Sequence, residues 1–300
     1  MPLDPVRSWR IHIGAHKTAS THVQEILALM RPQLLARGID FIPNDIVRQS
    51  GLAKALGARR LSTRLPLFRG RAVRGMMARH LDPLRAGPAT LVLSEEKLLG
   101  GSQQVFAAPM YPVADRTVRL LASLAGRAEV ALFLSIRSLD AQMPSAYVQE
   151  LKFLPPLEGG FENIRARVLA RPPSWFDLVR RIRAAAPAVP LRVWRQEDYR
   201  ANSAAILTAL CGRDIGPLPD MADPYWTKSP DLAAVRAAEA LPADMPRDAR
   251  RARVLEIFRT AGDGPRFQPF AESECAVLRQ AYAADLARLE ELGPDVLMRF

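Results

Sequence analysis

Trp9-Arg10-Ile11-His12-Ile13, running into Gly14-Ala15-His16-Lys17-Thr18-Ala19-Ser20-Thr21, is the stretch on which the fold class turns. Its first five residues read as a short apolar strand and the next ones as a polar turn. A helical pattern over 20–37 follows, with Val23, Ile26, Leu27, Met30 and Leu34 at helical spacing. A strand that passes through a turn into a helix presents unpaired backbone N–H groups and the positive end of the helix dipole, a ready place for an anion. Lys17 adds a mobile point charge, and Thr18, Ser20 and Thr21 add hydroxyl donors. Ser20 and Thr21 also suit an ordinary helix cap. The lysine within the turn tips the reading toward an anion. The turn is not a Walker A loop, which needs a longer glycine-bracketed loop before its lysine.

Working outward, apolar strands recur over 39–42, 90–94, 129–136 and 191–194. Helical patterns separate them: 51–84, broken by basic residues and Pro66; 117–125; 139–153, with Pro144 inside; and 175–185. After Tyr199 the chain reads as almost wholly helical, apart from a proline-rich joint over 217–230. Continuous apolar strands alternating with helices predict an α/β fold, a central, mostly parallel sheet flanked by helices. The expected organisation is a single domain over 1–300, with an α/β nucleotide-binding core over 1–215 and a mostly helical C-terminal extension over 216–300. In such sheets ligands bind at the carboxyl ends of the strands.

Two further motifs fall at strand ends. Leu91-Val92-Leu93-Ser94-Glu95-Glu96-Lys97 places two carboxylates after a strand, where one could act as a general base. The buried strand over 130–136 delivers Arg137, and Ser145 lies eight positions on. An arginine leaving a buried strand needs an anion or water, and its planar fork suits phosphate.

Together these residues resemble the sulfotransferases that use 3′-phosphoadenosine 5′-phosphosulfate (PAPS). The segment from Ile11 to Thr21 looks like their 5′-phosphosulfate loop, commonly Lys-Thr-Gly-Thr-Thr or Lys-Ser-Gly-Thr-Thr. Here Ala19 takes the glycine position, which calls for a negative φ, and Ser20 replaces a threonine. Glu96-Lys97 resembles the Glu-Lys pair that supplies the base in one branch of the family, whereas bacterial relatives favour the position of Glu95. Arg137 and Ser145 match the arginine and serine that hold the nucleotide's 3′-phosphate. Weaker likeness continues through Trp175-Phe176-Asp177, Arg192-Val193-Trp194 and Glu197-Asp198-Tyr199.

The resemblance implies a three-layer architecture like that of P-loop nucleoside kinases, with PAPS as cosubstrate and no metal. It implies that Lys17 attends the bridging and sulfuryl oxygens, Thr18, Ala19, Ser20 and Thr21 the 5′-phosphate, and Arg137 with Ser145 the 3′-phosphate. Glu96 is the expected base, with Glu95 and His16 as alternatives. His16 lies within reach of the transferred group, His12 reads as a packed strand residue, and His22 as pointing away. The acceptor is a hydroxyl or amine of a glycan, lipid or small metabolite. Two rival readings are a P-loop kinase of a nucleoside or small metabolite and a non-catalytic polyanion-binding protein.

Bulk properties narrow the field. The 300 residues are 49% hydrophobic and 24% charged, ordinary for a globular protein. The net charge of +11 is unusual, yet only five of the 42 basic residues are lysine and they spread along the chain, apart from a cluster between Arg59 and Arg79. That pattern reads as a solvated arginine-rich surface and argues against a nucleic-acid partner. Two well-separated cysteines, Cys211 and Cys275, argue against a disulfide scaffold or zinc site and are compatible with a reducing cytoplasm. The N-terminus lacks a signal-peptide pattern, and no stretch is apolar enough to span a bilayer, which leaves peripheral membrane contact open.

Overall fold

A computed structural model describes residues 5–57, 66–156, 159–220 and 230–300. Part of the expected basic cluster and most of the proline-rich joint lie outside the described residues. Five strands form one parallel sheet: β1 (Ser8–His12), β2 (Ile39–Phe41), β3 (Thr90–Ser94), β4 (Glu129–Ile136) and β5 (Leu191–Arg195), in the order β2-β3-β1-β4-β5. Helices in the first half are α1 (Ser20–Leu29), α2 (Arg31–Ala36), α3 (Asn44–Gln49), α4 (Leu52–Gly57), α5 (Pro66–Leu81) and α6 (Ala114–Ala122). In the second half they are α7 (Leu139–Glu150), α8 (Gly160–Ala170), α9 (Trp175–Ala185), α10 (Gln196–Cys211), α11 (Leu232–Glu239), α12 (Arg247–Arg259) and α13 (Glu272–Glu291).

The period-two alternation of strands divides the core into two layers. Ile11, Leu91, Leu93, Leu132, Leu134 and Val193 face one side, with α6, α9 and α13 packed over it. Val92, Phe133 and Trp194 face the other, against Val23, Leu27 and Leu34 of α1 and α2 and Ile206, Leu207 and Leu210 of α10. The result is a sheet between two helical layers. The chain leaves β1 toward β2 on one side and leaves β4 toward β5 on the other. Adjacent strands whose connections diverge open a crevice at their carboxyl ends, and the turn after β1 and Arg137 after β4 both lie there.

Two local departures from the sequence reading, at 20–37 and at 160–170, have physical causes, and Pro144 falls inside a helix as expected. The expected helix over 20–37 is two helices broken at Met30, because Pro32 in the first turn of α2 cannot donate to the preceding turn. Pro144 lies inside α7 and costs it one backbone bond without ending it. Helix α8 escaped the sequence reading; left-handed Gly159 opens it and Phe161, Ile164 and Val168 give it a buried face. The C-terminal segment packs on the core: α13 lies against α7 and α9, and Val193 pairs with Val296 and Met298 along the edge of β5. Among the described residues no helix is long and apolar enough to cross a membrane.

Candidate active site

Between β1 and α1 the backbone is left-handed at Gly14 (φ +46°), Lys17 (φ +68°) and Ala19 (φ +65°). Glycine is favoured at position 14 by its φ, which is unfavourable for a side chain; space is not the reason, since a Cβ would meet the His12 ring at an ordinary contact distance of 3.4 Å. At Ala19 the structure corrects the expectation of a negative φ. The left-handed geometry costs an alanine roughly 1–2 kcal/mol. It is imposed because Thr18, just before, is drawn into the interior, and the chain must reverse sharply to begin α1. Left-handed residues in such a turn gather successive N–H groups into a concavity suited to an anion.

A buried chain of hydrogen bonds fixes this shape. Thr18 Oγ1 donates to the Ala15 carbonyl at 2.6 Å and therefore accepts from Ser135 Oγ at 2.5 Å. Ser135 in turn accepts from His12 Nε2 at 3.2 Å, which leaves His12 Nδ1 to accept from Ser94 Oγ at 2.8 Å. Gln24 Nε2 donates to Ser94 Oγ at 3.3 Å and to Glu96 Oε2 at 3.2 Å. Every proton then points one way, from Gln24 to Ala15. Burial pushes the His12 imidazole down to about 4, outweighing the attraction of Glu96, so the ring is neutral as this direction requires. Thr18 is consequently a brace of the turn, and its hydroxyl is not turned toward the cleft.

Helix α1 starts with no side-chain cap and no acidic residue in its first turn. Its first N–H groups and the positive end of its dipole are left for another partner. Lys17 is half-buried, and among the described residues its ammonium has no hydrogen-bond or ion-pair partner. Burial, then Lys152 and Arg137, push its pKa down to about 8 against the pull of Glu96. Arg137 donates from Nη1 to the Lys17 carbonyl at 3.0 Å, while Trp175 Nε1 donates to the Arg137 carbonyl at 2.7 Å. Burial lowers the Arg137 pKa despite Glu197 and Asp140. Lys17, Ala19, Ser20, Thr21, Glu96, Arg137 and Ser145 all line a single cleft of about 630 Å³. That volume suits a small-molecule ligand. His22, Ile26, Tyr199, Leu218 and Pro219 form its less polar wall, where His22 Nδ1 meets Tyr199 Oη at 3.0 Å.

The two carboxylates after β3 have different surroundings. Glu95 is fully buried and accepts from Arg48 Nε at 3.0 Å, Asn44 Nδ2 at 3.1 Å and the Lys97 N–H at 3.0 Å. It holds the strand end together. Glu96 faces the cleft and accepts from Arg48 Nη2 at 2.8 Å. Burial by itself would raise its pKa, but Arg48, His16 and the Gln24 hydrogen bond outweigh it, so the carboxyl is held below its ordinary range. His16 does not line the cleft. Its N–H donates to Tyr111 Oη at 3.0 Å, and the buried phenol, whose proton needs an acceptor, finds it in His16 Nδ1 at 3.0 Å. That leaves His16 Nε2 carrying the proton. Burial lowers the imidazole to about 4, so His16 is a neutral donor rather than a base.

Sequence reasoning missed Arg48, Gln24, Tyr111, Tyr199 and Ser135, and read His22 as pointing away from what is in fact the cleft wall. One signal was available. His12, Ser94 and Ser135 are polar residues on buried strands and share one sheet face. Nothing local announces Arg48, which meets Glu95 from 47 residues away. Among the described residues no group of three or more His, Cys, Asp or Glu side chains is placed to hold a metal ion.

No family model matches the chain, and no curated protein matches it. Among solved structures, one titled as a sulfotransferase from Alicyclobacillus acidocaldarius aligns with 97% of this chain and 96% of its own. The identity is 13% and the TM-score 0.48. A likeness of that grade carries no functional weight.

Proposed function

We propose that this chain is a sulfotransferase that moves a sulfuryl group from PAPS to a hydroxyl or amine. One observation carries the reading: the lysine-bearing turn after β1, Arg137 and Ser145 after β4, and Glu96 after β3 open onto one cleft. A nucleotide with phosphates at both 5′ and 3′ positions matches two separate sets of donors in a shared cavity. The less polar wall of Tyr199, Ile26 and Pro219 offers its base a surface.

In this reading the uncapped start of α1 and the hydroxyls of Ser20 and Thr21 hold the 5′-phosphate, with Thr18 and Ala19 contributing backbone N–H groups. Arg137 and Ser145 hold the 3′-phosphate. The acceptor atom bonds to sulfur as the bond from sulfur to the oxygen bridging the 5′-phosphate breaks, and the electron pair stays on the departing nucleotide. Lys17 neutralises the charge that builds on that oxygen. Glu96 takes the acceptor's proton. Salt-bridged to Arg48, it is a weak base, and a weak base suffices where the transition state is loose and the proton leaves late.

Thermal shift with 3′-phosphoadenosine 5′-phosphate, AMP and ATP with Mg²⁺ tests the reading. The bisphosphate should stabilise the protein most, and Arg137→Ala with Ser145→Ala should erase its advantage over AMP. Stabilisation by ATP with Mg²⁺ alone would favour a kinase and overturn the proposal.

A further inference from the structure

On α7 the lining of the cleft ends at Gln149, but a series of cations continues beyond it. Ser145 and Gln149 line the cleft, and after Glu150 the chain tightens into a turn, with the Lys152 N–H bonded to the Gln149 carbonyl at 3.3 Å and the Phe153 N–H to the Glu150 carbonyl at 2.8 Å. This turn brings Lys152 near enough to Lys17 for the two ammonium groups to repel one another. Lys152 is half-buried, and its ammonium lies 5.9 Å from the centre of the Phe258 ring on α12. The next residue, Phe153, carries two guanidinium groups from the same helix, Arg247 at 5.4 Å and Arg251 at 5.6 Å. Arg247 and Arg251 are exposed and one turn apart.

Lys17 feels Lys152, Lys152 feels Arg251, and Arg251 shares the Phe153 ring with Arg247, so the four cations form a linked series that starts in the cleft. Among the described residues, none of the last three has a salt-bridge partner. The acidic groups nearby do not cancel the series. Glu150 feels Arg247 but is occupied by Ser102 Oγ, and burial pushes its pKa up. Burial and Arg251 together lower the Lys152 pKa, as expected of a cation held among its own kind. Aromatic rings beneath Arg247, Arg251 and Lys152 hold those cations in place, an arrangement that orients planar guanidinium forks for paired anionic oxygens.

We infer that the acceptor is an anion: a molecule that places its receiving hydroxyl or amine at Lys17 and Glu96 and carries two or more carboxylate, sulfate or phosphate groups outward along Lys152, Arg251 and Arg247. This rests on the sulfotransferase reading and names the substrate class for it. Like charge on an acceptor is normally repelled by an anionic donor, and a cationic track offsets that repulsion.

The test uses the full chain saturated with 3′-phosphoadenosine 5′-phosphate and two probes, a sulfated hexasaccharide and a neutral hexasaccharide, titrated calorimetrically from 50 mM to 200 mM salt. The sulfated probe should bind and the neutral one should not. Arg247→Ser with Arg251→Ser should weaken the sulfated probe at least tenfold at the lower salt. It should also reduce the slope of log affinity against log salt by about 2, one for each lost contact. The nucleotide affinity of that variant should stay within twofold, since neither arginine lines the cleft. An unchanged sulfated-probe affinity in the variant would overturn the inference, as would equal binding of the neutral hexasaccharide. Absence of nucleotide binding in the unaltered protein would instead overturn the sulfotransferase reading, so the two failures are distinguishable.

Discussion

At the end of β3 both carboxylates are answered, while at the ends of β1 and β4, two adjacent strands of the same sheet, the cations are left open. Glu95 has three donors and Glu96 two, with Arg48 bridging both. Lys17 has none among the described residues, and Arg137 gives one bond to a backbone carbonyl. Glu95 is fully buried while Glu96, Lys17 and Arg137 are partly buried, so burial alone does not separate the paired charges from the open ones. Partnered charge holds a fold together; desolvated charge without a partner costs stability and is retained where a ligand supplies the missing half.

Removing the open charge should have the largest effect. Lys17→Met should lower turnover by about 10²–10³-fold, the range for loss of one preorganised donor to a developing oxyanion. The same change should leave thermal stability equal or higher, because it removes a cation that burial and two like charges disfavour. A clear fall in melting temperature would show that Lys17 is partnered after all. The unaltered protein offers a second check through pH. The folded-state pKa of about 8 lies below the ordinary lysine value of 10.5, so stability should rise as pH climbs from 8 toward 10.5. Over the same window nucleotide affinity should fall as the ammonium loses its proton. Calorimetry in buffers of different ionisation enthalpy near pH 8 should record proton uptake on binding.

Arg48→Met attacks the answered charges and should do the reverse. Two neighbouring carboxylates, one of them wholly buried, lose their shared cation, at a cost of about 2–3 kcal/mol of folding stability; the exposure of Arg48, 37%, keeps it at the low end for buried pairs. Urea denaturation measures this. A loss under about 0.5 kcal/mol would class the pair with surface bridges and dissolve the contrast.

The smallest effect concerns the turn itself. Ala19→Gly removes the steric cost of a left-handed alanine but loosens the unfolded chain, for a net gain of up to about 1 kcal/mol. Destabilisation in the same assay would mean that the turn does not hold position 19 left-handed in solution.

Much of this architecture is legible in the residues. The five strands lie within a residue or two of where apolar runs place them, and β3 and β4 coincide with the reading. The turn with Lys17, the carboxylates after β3 and Arg137 after β4 stand out because polar residues that interrupt apolar runs are conspicuous. Less could be read where the cause is distant. Thr18 looks like one more hydroxyl for a phosphate, and only Ser135, 117 positions away, shows that it is turned inward. Glu95 and Glu96 are adjacent and alike in sequence, and Asn44 and Arg48 make one structural while the other faces the cleft. His16 carries no mark of Tyr111, which fixes its tautomer from 95 positions on.

By itself the sequence determined the alternation of strands and helices and the order of chemical groups at the strand ends. These follow from short-range periodicity and from the few residue types that tolerate sharp turns. Only the tertiary structure decided which of those groups keep an open valence: whether Glu95 or Glu96 meets the cleft, whether Lys17 has a counterion, and where the cations of α12 come to rest. Pairing and desolvation are set by neighbours brought close in space from far along the chain, and no local pattern encodes them.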